Sequence, residues 1–169
     1  KMIESKLFLK FLKERRSIRS FQDKMISNNE IDMILEAGQW TPSASNRQPW
    51  QFIIIKKKDI IIKLSELARY GRFIKEAPIV IAIVGKPHEN PNWYVQDTSL
   101  ASMNMMLMAW SLNIGTCWIG SLNREKAKEI LGIKKENFLL TILPLGYIKG
   151  DIPYPTQRKG LTEIMKEFK

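Results

Sequence analysis

The chain of 169 residues contains one cysteine, Cys117, and one histidine, His88. A single thiol cannot close a disulfide within the chain, and it cannot hold an iron–sulfur cluster or a cysteine-rich zinc site. Such usage suits a reducing cytoplasm. One imidazole excludes metal sites built from several histidines, and it would leave a histidine-dependent triad resting on one loop residue. Several catalytic motifs are also missing. The sequence has no GxGxxG fingerprint, no GxxxxGK[ST] loop, no GxSxG and no HExxH. A hydrolase driven by its own side chains therefore has little to work with. No apolar run approaches the length needed to span a bilayer, and the opening residues KMIE carry no signal-peptide pattern. These absences lead to the expectation of a soluble cytoplasmic chain forming one domain over residues 1–169.

What is present is an ordinary globular composition, 44% hydrophobic and 26% charged, with a net charge of +10. The excess of positive charge calls for an anionic partner or for lysine-coated helices. Lysines are spread along the whole chain, and no stripe of basic and aromatic residues marks a nucleic-acid surface. A nucleic-acid binder, recognisable by salt-sensitive binding, is the lesser reading. Arginine is clustered instead, at Arg15, Arg16 and Arg19.

The pattern along the chain alternates. Ile3, Leu7, Phe8, Phe11 and Leu12 at helical spacing predict an amphipathic first helix. Ser27 and Glu30 have capping-box spacing before a second helix ending near Gly38. Gln51–Lys56 reads as a short buried strand, and Asp59 suits the cap of a third helix reaching about Ala68. Residues 79–85, IVIAIVG, are the clearest strand. A long, nearly uncharged helix follows from Tyr94 to Asn113, with Gly115 suited to its C-terminal cap. Thr116–Ile119 reads as a short strand, and Asn123 to Gly132 as a capped helix. Phe138–Ile148 reads as a strand that Pro144 bends or confines to an edge. The class is α+β, a three-layer arrangement with a central sheet covered by helices on both faces.

Five stretches could carry chemistry. Arg15-Arg16-Ser17-Ile18-Arg19 offers forked donors and a hydroxyl to one phosphate, against the plain alternative of a solvated basic turn. Arg158-Lys159 is a surface pair unless it meets the first cluster. Residues 41–50, TPSASNRQPW, combine stiffening Pro42 and Pro49 with Ser43, Asn46 and Gln48, which suit the polar edge of a heterocycle or the capping of nearby helices. In residues 115–120, GTCWIG, glycine permits close backbone approach to a ligand, and Cys117 reads as a small core residue. Met103, Met105, Met106 and Met108 fill a core or a subunit interface.

The order of these pieces resembles the FMN-dependent nitroreductase family. The resemblance rests on residues 15–21 (RRSIRSF), 41–52 (TPSASNRQPWQF), the helix–strand unit from Asp97 to Gly120, and Pro155 with Arg158-Lys159, and it covers nearly the whole chain. It implies a central mixed sheet and an intertwined homodimer with an FMN in each of two interface sites. Arg15, Arg16, Ser17 and Arg19 would hold the phosphate and nearby ring atoms, and Arg158 and Lys159 would close on it. Pro42, Ser43, Asn46 and Gln48 would come from the other subunit, with Ile119 and Gly120 lining the isoalloxazine. The implied reaction is ping-pong reduction of nitroaromatics, quinones or similar electron-poor acceptors, with NADH or NADPH as donor. Other outcomes on the same scaffold are flavin storage and a different flavin reaction such as reductive dehalogenation. The chain is short for the family, with only residues 86–93 (KPHENPNW) where larger members carry an insertion over the site.

Overall fold

The computed structural model describes residues 3–168. Its architecture follows from the most apolar run in the chain, strand β2 (Ile79–Gly85), in which every residue is buried. Successive side chains of a strand point to opposite faces, so β2 serves two cores at once. Val80, Ala82 and Val84 pack with Ile61, Leu64 and Ala127. Ile79, Ile81 and Ile83 pack with Ile31, Ile34, Met105 and Ala109. The first set of helices comprises α3 (Lys58–Glu66) and α5 (Arg124–Leu131). The second comprises α2 (Asn28–Gln39) and α4 (Tyr94–Ser111). The result is a sheet between two helical layers, as the alternating pattern predicts.

The remaining elements are α1 (Ser5–Glu14), β1 (Trp50–Ile55), β3 (Ile114–Thr116), β4 (Phe138–Tyr147) and α6 (Leu161–Ile164), with short 3-10 turns at Ala44–Asn46 and Arg72–Glu76. The four strands lie in the order β1-β2-β4-β3. Every strand pairing is antiparallel. The parallel component of the mixed sheet is reduced to one bridge, Ser17 to Thr116.

Local signals placed most boundaries. Ser27 and Glu30 form the capping box of α2, Asn123 caps α5, and Gly132 ends it in the left-handed region at φ 65°. Other details differ from the sequence pattern. Strand β4 is central, not an edge, although it contains Pro144. The proline is accommodated where the β3 side of the ladder is interrupted. Pairing there ends at Leu145 opposite Thr116 and resumes only as a bridge from Ile142 to Ile119. The left-handed residue that follows α4 is Asn113, at φ 58°, rather than Gly115. Strand β3 accordingly starts before the predicted Thr116. Lys57, with no side-chain bond, precedes α3, and Asp59 sits in its first turn. Helix α1 has the predicted periodicity but buries none of its residues.

Gly115 is used for contact. It pairs with Gly146 across β3 and β4. A Cβ on Gly115 would lie 2.6 Å from Ile18, and one on Gly146 would lie 2.8 Å from Phe21. The two missing side chains let residues 17–21 lie directly on the sheet. Backbone bonds from Ile18 N–H to Thr116 O (2.9 Å) and from Gln22 N–H to Tyr147 O (2.9 Å) fasten the segment. Ile18 and Phe21 are buried with Ala77 beneath it.

Gly115→Ala should therefore lower the melting temperature markedly. The new methyl meets a buried β-branched side chain, and overpacking of this kind costs about 1–3 kcal/mol. Gly120→Ala is the control. A Cβ there would meet nothing within 4 Å, and its penalty should be the smaller in a thermal-denaturation comparison.

Candidate functional site

Because residues 17–21 are seated on the sheet, the arginines flanking Ile18 are held near the 115–120 strand–loop unit. Arg15 is half-buried, and its Nη1 is fully buried with no hydrogen-bond partner among the described residues. Burial, the neighbouring charge of Arg158 and then that of Arg16 lower its pKa below the usual guanidinium value. The two basic clusters are thus brought together across the length of the chain. A buried, unpaired donor surrounded by like charge is costly, and an anion with several acceptor oxygens relieves that cost.

The other residues of the two clusters are placed differently. Arg16 spends its guanidinium on carbonyls, with Nε donating to Pro153 O at 3.0 Å and Nη1 to Lys13 O at 2.7 Å and Arg15 O at 2.9 Å. It ties α1 to the C-terminal segment. Ser17 makes the bridge to Thr116. Arg19 is exposed and lines a cavity of about 160 Å³ with Tyr70, Cys117, Trp118, Ile119 and Gly120. Burial pushes the Cys117 thiol up, against the opposing influence of Arg19, Ser17 and Arg15. The thiol is neutral at physiological pH and does not discharge the cluster. Arg158 and Lys159 lie on the exposed 150–160 segment, where Arg158 Nη1 bonds Thr156 O at 3.2 Å.

Ile119 and Gly120 form a fixed floor. The buried hydroxyl of Thr141 accepts from Ile119 N–H at 3.2 Å and donates to its carbonyl at 3.0 Å. Arg124 donates to Gly120 O at 3.2 Å and Leu139 O at 3.0 Å. A side chain at Gly120 would meet nothing within 4 Å, so the chain leaves open space above this floor.

The 41–50 segment lies elsewhere on the chain. Gln48 lines a separate groove with Asp32, Glu36, Gln39 and Trp50, and no residue of 41–50 lines the Arg19 cavity. Pro42 is exposed and Ser43 half-buried. Ser43 Oγ accepts from Gln48 N–H at 2.9 Å, and Gln48 Nε2 donates to Asn46 at 3.3 Å. Sequence reasoning did not single out Tyr70 beside the cavity, and it took in Trp118 only as part of the 115–120 stretch. Nor did it single out Asp97, whose one visible signal was a lone carboxylate in the first turn of an otherwise apolar helix.

No group of histidine, cysteine and carboxylate residues able to hold a metal occurs among the described residues. Nor is any helix among them long and apolar enough to cross a membrane.

Comparison with known proteins gives a consistent result. The model of the Nitroreductase family matches residues 12–70 and 65–147. A provisionally named NADH dehydrogenase/NAD(P)H nitroreductase of Archaeoglobus fulgidus is 35% identical over 150 residues, covering 85% of this chain and 86% of that protein. The solved structure of an FMN-dependent nitroreductase from Clostridium difficile superposes with a TM-score of 0.84 at 28% identity, covering 95% of this chain and 98% of that one. Iodotyrosine deiodinase 1 of Mus musculus is 26% identical over 199 residues, covering 96% of this chain and 70% of that protein.

Inorganic phosphate should raise the melting temperature of the wild-type protein through preferential binding to the folded state. Arg15→Met should remove most of that rise. Without phosphate this variant should melt no lower than wild type, because it deletes a buried unpaired donor and its repulsion with Arg158. An unchanged phosphate effect in the variant would contradict the assignment of Arg15 to an anion site.

Proposed function

The chain belongs to the nitroreductase family, and from that membership we propose that it is an NAD(P)H-dependent oxidoreductase that carries FMN. The observation that carries the reading is Arg15, a partly buried guanidinium with an unpartnered Nη1, set beside Arg158 from a distant segment. A phosphate dianion fits that surplus of charge and donors. The open floor at Ile119 and Gly120 fits a flat ring that needs close backbone approach.

In this reading Arg15, Arg19, Arg158 and Lys159 hold the phosphate, with Ser17 as a short hydroxyl beside them. Arg16 contributes charge to the cluster while its donors fix the C-terminal segment. Ile119 and Gly120 support the ring, and Thr141 and Arg124 keep that support rigid. When bound, FMN accepts a hydride from the nicotinamide and passes electrons to the acceptor. The protein's part is to orient and to neutralise charge. Its single imidazole, His88, is exposed in the loop before α4. The acceptors proposed are nitroaromatics, quinones or related electron-poor compounds, taken in turn with the nicotinamide at one site.

The working unit proposed is a homodimer, with Pro42, Ser43, Asn46 and Gln48 reaching the partner's flavin. Two features support it. Helix α1 leaves Leu7, Phe8 and Leu9 at 58%, 45% and 52% exposure. It borders an apolar groove of about 670 Å³ that also includes Leu107 and Met108. Large exposed apolar patches of this kind mark interaction surfaces. Within the predicted methionine row, Met105 and Met106 are core residues, whereas Met103 is exposed. A second reading, reductive dehalogenation on the same scaffold, draws on the likeness to iodotyrosine deiodinase 1.

The purified protein should show a flavin spectrum, or take one up with added FMN. That spectrum should bleach anaerobically with NADPH or NADH and recover with a quinone or nitroaromatic. Recovery with a halogenated aromatic alone would favour the second reading. A flavin left oxidised by both nicotinamides would indicate storage, and failure to bind FMN would overturn the proposal.

A further inference from the structure

Residues 43–48 adopt a conformation that needs support. Ser45, Asn46 and Gln48 all have left-handed backbones, at φ 54°, 52° and 50°. Side chains other than glycine rarely occupy this region, and runs of them persist where the surroundings hold them. Bonds within the segment, such as Gln48 N–H to Ser43 Oγ, help shape it but do not fix it to the body of the protein.

The anchor comes from α4 and the loop before it. Asp97 is only 4% exposed and divides its carboxylate between two donors. Oδ1 accepts from the Ala44 backbone N–H at 3.2 Å, and Oδ2 accepts from Asn90 Nδ2 at 3.1 Å. Asn90 is equally buried, at 4%. The short 86–93 loop adds two links, Lys86 N–H to Pro49 O at 2.9 Å and Arg47 Nη1 to Glu89 O at 3.3 Å. About two turns of α4 beyond Asp97, Asn104 Nδ2 donates to Thr41 Oγ1 at 2.8 Å. Both ends and the middle of the 41–50 segment are therefore tied to residues 86–104. Of these ties the central one alone ends on a carboxylate, held by the part-buried Ala44 N–H and the buried Asn90 amide, and hydrogen bonds to a charged acceptor are the strong ones.

We propose that Asp97, oriented by Asn90, is a positioning residue that latches the strained 43–48 segment in its flavin-binding shape. In this chain the short 86–93 loop then works as a brace for the cradle. The inference rests on the flavin reading of that segment. It differs from a general role for Asp97 at the start of α4, where a negative charge also favours the helix. Asparagine at 97 separates the two. Its Oδ1 can still accept from Ala44, and its Nδ2 can donate to Asn90 once that amide turns over, so the latch is kept while the charge is lost.

The test compares wild type, Asp97→Ala and Asp97→Asn by two measurements. Hydrogen–deuterium exchange of residues 43–48 is followed in flavin-free protein, and the FMN dissociation constant is read from flavin fluorescence. In Asp97→Ala, exchange should accelerate and FMN binding should weaken, each by about tenfold or more, as expected for loss of a charged hydrogen bond. Asp97→Asn, which keeps both hydrogen bonds without their charge, should lie between wild type and Asp97→Ala in both measurements. Asn90→Ala should give a milder form of the alanine pattern, and it replaces Asp97→Ala if that variant does not fold. Unchanged exchange in Asp97→Ala, or an asparagine variant as impaired as the alanine one, would overturn the latch. Faster exchange with unchanged FMN affinity would overturn the role in flavin binding. A wild-type protein that binds no FMN would overturn the flavin reading itself, whatever the exchange pattern.

Discussion

The close seating of residues 17–21 on the sheet is the constraint from which the site follows. It exists because Gly115 and Gly146 face each other across β3 and β4 and leave no side chains beneath Ile18 and Phe21. With Ile18 driven into the core, Arg15 and Arg19 are fixed on either side of it. Burial of one isoleucine thus sets the positions of two cations. Arg16, facing away, secures the chain by bonding Pro153 and Lys13. Hydrophobic packing supplies the free energy, and the guanidinium groups are held where electrostatics alone would not bring them together.

That arrangement opposes local stability. Arg15 has a buried nitrogen without an acceptor, and Arg158 approaches it with the same charge. Functional sites often keep such local conflicts, which the surrounding structure offsets. Cys117 fits the same logic. Burial raises its pKa, so the neighbouring thiol stays neutral and the positive potential remains for a ligand. The 43–48 segment is also held against its own preference, in this case backbone preference. Both halves of the proposed cradle are strained features maintained by contacts outside themselves.

What could be read from the sequence was what is local. The Ser27–Glu30 capping box, the Asn123 cap and the Gly132 terminus depend on residues a few positions apart, and their signals were plain. The seven-residue β2 run identified the centre of the sheet. Pro144 misled because edge or centre is decided by neighbours far along the chain, and the ladder gap that tolerates it has no local signature. Gly115 was legible as a special position, but its reason, the approach of Ile18, is tertiary. In the site, each basic cluster was visible alone, whereas the meeting of Arg15 and Arg158 was not. Asp97 was visible as a lone charge on α4, but its bond to Ala44 depends on how the 41–50 segment folds back.

In the proposed homodimer each flavin site is built from two chains, with the basic cluster of one subunit and the 42–48 segment of the other. Helix α1 buries none of its residues, and Gln48 lines a groove separate from the Arg19 cavity. Subunit complementation tests it directly. One variant carries Arg15→Met with Arg19→Met, and the other carries Ser43→Ala with Asn46→Ala. Neither should bind FMN alone. Mixed dimers formed by co-expression contain one site in which all four residues are native, and FMN binding should return there. If each site were built within one chain, both sites of the mixed dimer would carry a defect, and no recovery of binding would contradict the account.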